Sequence, residues 1–593
     1  MAAICGAFGA TRPNADWDAV VDSTRMRSAH PATRRAIGLL EIVVRGDAED
    51  LDESSGGITT FVDGSVDNLS SLCERHGVVR ASGARALSEL FRLRGTALFA
   101  ELEGSFAVVV ADETRQELHL VRDRYGTKPL CFARSSAGWA FASECAMLLP
   151  LLGPTALDRD GLAESLHYRW LVGDRTLFSG IEQVLPASAV VLPARGDSSG
   201  HCYYRHAFTP ALQTASIDEW ADQTEATLRA HLGRALRPGA KVAVLLSGGV
   251  DSSLLGRLVA EHVSGSVLFT PTWKGFDDPE LPRARQFALG IGAEHRVLEF
   301  DGSEVDPLFA HCVARLEQPP RHHHVVTLAA MLPHLEGFDS VVYGEAADTM
   351  FGPAGIGFYQ NFAEKRRWAA PISFLRAAVP LLPDHKRVRA VERLLEFGVD
   401  QLLRRSGTLE RSRWLARRVR GMGMDGEPNA RIVAEFYDPL AAVPERLQAF
   451  TLATEVVSHM ETVDRLFTPV GLDIVTPFLS PEIVELATTL PSALKGTPGR
   501  AKPVLKHLSA RYFGSGLANA SKLGFPTPAR SWLNAALSAR VRFLQSGSSP
   551  MARVFGKDTV KALSVERDLE AVWTLIALDE LVRKFGLVPD QSP

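Results

Sequence analysis

Val242-Ala243-Val244-Leu245-Leu246-Ser247-Gly248-Gly249-Val250-Asp251-Ser252 sets five apolar residues directly against a serine and two glycines. The apolar run has the length of a strand buried on both faces, and a helical pattern follows over 252–262. Strand, tight loop and helix in that order gather backbone N–H groups and the positive end of a helix dipole in one mouth, which favours a nucleotide pyrophosphate. No Gly-Lys-[Ser/Thr] follows, which excludes a Walker A loop, and the third glycine of a dinucleotide fingerprint is absent. Ser247, Gly248, Gly249, Asp251 and Ser252 are the candidate phosphate-loop residues. A plain helix cap is the competing role for Asp251.

Working outward, the spacing predicts an amphipathic helix over 216–236 and a further strand over 266–270, which completes a βαβ unit. Long helical patterns dominate from about Phe362. Toward the other end, short runs such as Ser105-Phe-Ala-Val-Val-Val-Ala-Asp and Leu118-His-Leu-Val-Arg alternate with turn signals. Pro193 to Gly200 reads as a hairpin turn and Phe208 to Ser216 as a linker. Two domains are expected, 1–210 strand-rich and layered, 211–593 α/β with a parallel sheet and a helical C-terminal part.

The 593 residues carry near-average apolar and charged content, as expected of a soluble globular chain of more than one domain. A net charge of -4 gives no basic footprint for nucleic acid. Six cysteines without CxxC spacing suit a reducing compartment, and neither zinc nor disulfides are expected. No basic segment with a long apolar run opens the chain, and no stretch approaches the length of a membrane span. A cytoplasmic protein without membrane insertion is the expectation.

Further along, Tyr343-Gly344-Glu345-Ala346-Ala347-Asp348 follows the apolar pair Val341-Val342. With Arg122-Asp-Arg-Tyr-Gly-Thr-Lys-Pro-Leu, Phe141-Ala-Ser-Glu, Asp174-Arg-Thr-Leu-Phe, Val463-Asp-Arg, Gly471-Leu-Asp-Ile-Val-Thr-Pro-Phe-Leu and Lys522-Leu-Gly-Phe-Pro, it stands in the order found in asparagine synthetases. The chain resembles that family over almost its full length, and the phosphate loop is similar to the PP-loop of N-type ATP pyrophosphatases. The resemblance implies an Ntn-type, glutaminase-like α+β sandwich followed by an ATP pyrophosphatase domain that uses ATP and Mg2+. It further implies that Asp251 and Asp348 hold the metal, that Leu246, Tyr343 and Gly344 flank the nucleotide, and that Arg500 and Lys502 lie near the pyrophosphate. Glu345 would be the general base or orienting carboxylate near the attacking amine, and Lys522 would stabilise charge developing on the oxyanion and phosphate.

The amino-terminal half departs from that family. Its members hydrolyse glutamine with an amino-terminal cysteine whose own amine is the base. Cys5, in Cys5-Gly-Ala-Phe-Gly, is matched here to that position, with four residues ahead of it, and Asp63 stands where an oxyanion-binding asparagine is expected. Ser82-Gly83-Ala84-Arg85 lacks the aspartate that would grip the glutamine ammonium, and no arginine appears near Leu39. Cys5 is expected to be a buried core residue and the glutaminase to be inactive.

Without ammonia, the acyl-adenylate must meet an amine within its own substrate. The chain looks most like a lasso peptide cyclase, a macrolactam synthetase that joins a core peptide's amino terminus to an Asp or Glu side chain. The alternatives are an asparagine synthetase using ammonia or glutamine, and a β-lactam synthetase-like enzyme, although the latter place tyrosine at Glu345. The implied partners are a ribosomal precursor peptide, a leader peptidase and a leader-binding protein. The segment 365–420, with fifteen Lys/Arg against five Asp/Glu and interleaved aromatics, is a candidate docking wall for them or a solvated helical face. His322-His323-His324 is expected to line a pocket or loop rather than bind metal, because adjacent side chains diverge.

Overall fold

The computed structural model describes residues 2–9, 15–46, 56–79, 83–209, 215–352, 443–497, 500–520 and 526–589. The segment 365–420, Lys522 and most of the expected linker lie outside these residues.

Two antiparallel sheets form the amino-terminal part. One has the order β2-β3-β1-β8-β7-β9, built from Ala32–Ile37, Leu40–Arg45, Ala3–Phe8, Gly138–Ala142, Cys131–Ser135 and Ile181–Gln183. The other has the order β11-β10-β6-β5-β4, built from Ser199–Cys202, Ser188–Pro193, Glu117–Arg122, Gly104–Asp112 and Ile58–Val66. Period-two alternation explains why the apolar run in β5 is unbroken. Ala107, Val109 and Ala111 face the core between the sheets, while Phe106, Val108 and Val110 face a second core under the helices Leu69–His76 and Gly83–Arg94. In β1, Ile4 and Phe8 enter the inter-sheet core and Ala3, Cys5 and Ala7 face outward onto a third. The result is the expected layered α+β sandwich.

The later part holds a parallel sheet in the order β14-β13-β12-β15-β16, comprising Glu294–Phe300, Val267–Trp273, Val242–Leu245, Ser340–Val342 and Asp473–Val475. Both of its faces are covered, since Val242 and Val244 belong to one core and Ala243 and Leu245 to another. That double burial gives the continuous apolar strand. The predicted helix forms over Ile217–Ala235, opened by a capping box between Ser216 and Glu219. β13 runs past the predicted end at Thr270 through Pro271, because β12 pairs with it only as far as Phe269, so the missing proline N–H leaves no gap in the ladder. Among the described residues no helix is long and apolar enough to cross a membrane.

Several of the sequence motifs meet at the seam between the two parts. Lys128 Nζ lies 2.6 Å from Asp464 Oδ1, and Arg122 pairs with Glu461. Glu144 reaches Arg315 at 3.2 Å, and Arg465 reaches Glu317 at 2.6 Å. Asp123 accepts from the backbone N–H groups of Tyr125, Thr127 and Lys128, fixing the turn that presents Lys128. All of these charges are buried. The motifs Arg122 to Leu130, Phe141 to Glu144 and Val463 to Arg465 thus form one ion-pair lock between the two parts.

Candidate active site

β12 and β15 are neighbours in the sheet, and β13 leaves β12 on the opposite side, so their C-terminal ends open at a topological switch point. The phosphate loop leaves β12 there and the Gly344-Glu345 turn leaves β15 beside it. A Cβ on Gly344 would lie 3.7 Å from that of Asp251, so the two turns are in contact.

The helix behind the loop spans Val250–His262, starting two residues earlier than predicted, with Gly249 at its N-cap. Ser247 and Ser252 tie the loop ends together, Ser247 N–H donating to Ser252 Oγ at 3.1 Å, and Ser252 Oγ–H donates to Gly249 O at 3.2 Å. Gly248 has φ +76°, and a Cβ there would stand 2.7 Å from the carbonyl oxygen of Glu280. Both restrictions act on the same residue. Gly248→Ala is expected to lower ATP–pyrophosphate exchange at least ~10-fold, because a strained left-handed conformation and a backbone clash together displace the loop; exchange at the parental rate would contradict that account.

Asp251 is buried at the first turn of this helix. Its Oδ2 and Asp348 Oδ1 each lie 2.7 Å from Lys502 Nζ. Lys502 is 5% exposed and has φ +58°. Ala346, just ahead of Asp348, has φ +66°. Two non-glycine residues in the left-handed region cost free energy that other contacts must offset, and such residues gather at functional sites. Here they deliver Lys502 and Asp348 to one point. Arg500 lies two residues ahead of Lys502 on the short strand Arg500–Ala501. Leu246 is fully buried, donating N–H to Phe269 O at 2.8 Å, and Tyr343 N–H is held by Val475 O at 3.0 Å.

The donor set fits Mg2+. Two hard carboxylate oxygens converge on a single cationic centre beside a phosphate loop, and magnesium characteristically takes one or two carboxylates with the rest of its shell from water and phosphate. Among the described residues no cluster of three or more His, Cys, Asp or Glu is arranged as a metal cage.

Glu345 Oε1 lies 2.9 Å from His459 Nδ1, on the helix Val457–Phe467. His322 Nε2 lies 3.0 Å from His459 Nε2, and His322 stacks on His324 at 5.1 Å. His323 turns away to Glu570 and Trp573. The divergence expected of the histidine run is therefore observed, yet His322 stands two side chains from Glu345. Burial, with Arg321 second, holds His322 well below its ordinary pKa, and burial lowers His324 to about 3. Sequence reasoning missed His459. Its place four residues before Val463, on the buried face of the helix that carries Val463-Asp-Arg, was the available signal.

Cys5 is fully buried in mid-strand, its Sγ–H donating to Met147 O at 3.3 Å, and burial pushes its thiol well above the usual range. Its match to the nucleophile is corrected here. The residue beside Asp63 is Ala2, whose N–H donates to Asp63 Oδ1 at 3.2 Å, while Cys5 faces the opposite core because side chains three positions apart on a strand point to opposite sides. Asp63 is not an uncompensated charge either: Arg27 pairs with it at 2.7 Å, with Asp464 at 2.8 Å and with Glu144 at 3.3 Å.

Sheet topology, a glycine-tight loop and a carboxylate–ammonium–carboxylate set define an α/β enzyme built to handle a nucleotide's phosphates. A model of the asparagine synthase family matches residues 223–583, and one of the glutamine amidotransferase domain matches residues 55–204. The chain belongs to the asparagine synthase family of ATP-dependent amide ligases. It is similar to a putative glutamine-hydrolysing asparagine synthetase of Mycobacterium tuberculosis, 26% identical over 506 residues that cover 80% of this chain and 75% of the relative. It is likewise similar to glutamine-hydrolysing asparagine synthetase 1 of Bacillus subtilis, 21% identical over 80% of this chain and 77% of the relative. Among solved structures, glutamine phosphoribosylpyrophosphate amidotransferase from B. subtilis is similar at 12% identity and a TM-score of 0.26, over 50% of this chain and 65% of that one.

Proposed function

We propose that this enzyme is a lasso peptide cyclase, closing a macrolactam within a ribosomal precursor peptide. An Asp or Glu side chain of the peptide attacks the α-phosphorus of ATP, the bond to the β-phosphate oxygen breaks, and pyrophosphate leaves. The peptide's N-terminal amine then attacks the acyl carbon, the bond to AMP breaks, and the amine's proton passes to Glu345. The Ser247 to Ser252 loop, with Leu246, Tyr343 and Gly344, binds the nucleotide. Lys502, and with it Arg500 and Lys522, offsets charge on the departing pyrophosphate. Asp251 and Asp348 would hold Mg2+, which when bound would supply positive charge to offset the negative charge of the triphosphate. Residues 1–210 act as a glutaminase-derived domain without hydrolase activity, and 211–593 as the synthetase domain. A leader peptidase and a leader-binding protein, docking on 365–420, would deliver the peptide with its amine freed.

The observation that carries this reading is Ala2, whose backbone N–H donates to Asp63 and whose carbonyl oxygen accepts from Arg27, with Cys5 turned into the opposite core. Among the described residues Cys5 directs its thiol to Met147 O in that other core, which supports a site that does not release ammonia from glutamine. The amine must come from elsewhere, and one already on the bound peptide gains the advantage of proximity. The names of the relatives are consistent with a second reading, an asparagine synthetase supplied by ammonia or glutamine.

The two separate by substrate. With ATP and Mg2+, peptides bearing a free amine and one internal Asp or Glu are expected to release pyrophosphate and yield a product one water lighter, while aspartate with glutamine or ammonia yields none. Cys5→Ala should cyclise at an unchanged rate. Asparagine formation from aspartate, or glutamate release that Cys5→Ala abolishes, overturns the proposal.

A further inference from the structure

We propose that His459 is a positioning residue for amide formation, gripping the Glu345 carboxylate through an Nδ1–H bond, and that the amino-terminal half buttresses this grip through Arg321. The proposal rests on the reading of Glu345 as the group that takes the amine's proton.

The hydrogen-bond partners fix the roles without reference to titration. An ionised carboxylate only accepts, so His459 Nδ1, 2.9 Å from Glu345 Oε1, must donate. A guanidinium only donates, so His459 Nε2, 3.2 Å from Arg321 Nη1, must accept. His322 Nε2, 3.0 Å from the same nitrogen, then donates as well. Both demands select the neutral Nδ1–H tautomer. In that tautomer the nitrogen facing Glu345 already carries its proton and cannot take one from the carboxylate. His459 therefore orients Glu345 and does not relay its proton, in the manner of outer groups that fix a reacting carboxylate.

Arg321 is itself held at several points. Glu455 pairs with it at 2.6 Å, from the π-helical turn Leu452–Val456 that immediately precedes the His459 helix, and such turns recur at functional sites. Its guanidinium lies 3.9 Å over the ring of Trp170, and Arg169 donates to its carbonyl oxygen. Trp170 and Arg169 come from the segment that ends the Arg159–Tyr168 helix of the amino-terminal half. A domain whose hydrolytic parts are gone thus still braces the site of amide formation.

Two measurements test this in the full-length protein. Histidine-selective 15N labelling should show one Nδ1–H resonance, absent in His459→Gln, across neutral pH; an Nε2–H tautomer or an imidazolium overturns the proposal whatever the substrate. With ATP, Mg2+ and a panel of synthetic peptides bearing a free α-amine and one internal Asp or Glu, His459→Phe should slow amide formation ~100-fold. Peptide-dependent ATP–pyrophosphate exchange should stay within about twofold, because adenylation does not use Glu345. His459→Asn, whose amide N–H stands near the lost Nδ1–H, should recover most of the rate. Equal loss in both variants, or equal loss of exchange and amide formation, marks a merely structural residue. A wild-type enzyme inert toward every peptide sinks the cyclisation reading and leaves the tautomer to decide this one.

Discussion

Asp251→Asn is expected to lower pyrophosphate release by ~10²–10³-fold, the range found when one preorganised charge is removed from a developing anion. Two effects combine. The substitution deletes one of the two carboxylates that converge on the cationic centre, and it leaves Lys502 with a single partner. Asp348→Asn should be of similar size in catalysis and milder in stability, because the Asp348 side chain is 43% exposed against 3% for Asp251. Raised Mg2+ should recover part of the Asp348→Asn rate if that oxygen is a ligand. Lys502→Met separates the roles. It removes the ammonium and leaves two carboxylates facing each other, so ATP–pyrophosphate exchange should fall while Mg2+ binding to the nucleotide-free protein tightens. Full exchange activity in Asp251→Asn would remove this pair from the site.

Arg27→Met should destabilise the protein by ~3–5 kcal/mol, the usual cost of leaving buried charge uncompensated. Arg27 is fully buried and lies within ion-pair distance of Asp63, Glu144 and Asp464, so its loss takes the arginine from Asp63 and leaves Glu144 to Arg315 and Asp464 to Lys128. Adding Asp63→Asn should recover part of the loss, since residues sharing one network are not additive. The acid limb supplies an independent check. Burial acts to raise the Asp464 carboxyl, but Arg27 and Lys128 overcome it and hold the group below its ordinary value of 3.8. Glu144 is likewise depressed, its arginine neighbours Arg315, Arg465 and Arg27 outweighing burial. A depressed carboxyl contributes stability that is fully present above the unfolded value and is lost as pH falls through the folded one. Urea midpoints should therefore hold from neutrality to about pH 5 and decline below about pH 4. In Arg27→Met that decline should flatten. An unchanged midpoint at neutral pH, or an unaltered acid limb, would show that the lock is held elsewhere.

The sequence by itself determined the parallel sheet and its loop. Val242 to Leu246 is apolar throughout because both faces of β12 are covered, and Ser247-Gly248-Gly249 can only be a tight turn, since local backbone geometry and burial dictate both. The loop pattern likewise singled out Asp251, whereas Glu345, Asp348 and Lys502 were reached through the resemblance of their motifs to those of asparagine synthetases. The convergence of Asp251 and Asp348 on Lys502, 251 residues apart at its wider span, belongs to the topology, which brings the ends of β12 and β15 together. His459 was invisible for the same reason: a lone histidine in a helix carries no local mark of the carboxylate 114 residues away that it holds. Cys5 shows the converse. Its motif matched it to the nucleophile's position while the altered residues around that position predicted a buried core side chain; the core role holds, and strand parity, counted in the folded sheet, puts Ala2 rather than Cys5 beside Asp63. Period and turn chemistry act over a few residues and are written locally, whereas which side chains meet depends on sheet order and register, which only the assembled chain fixes.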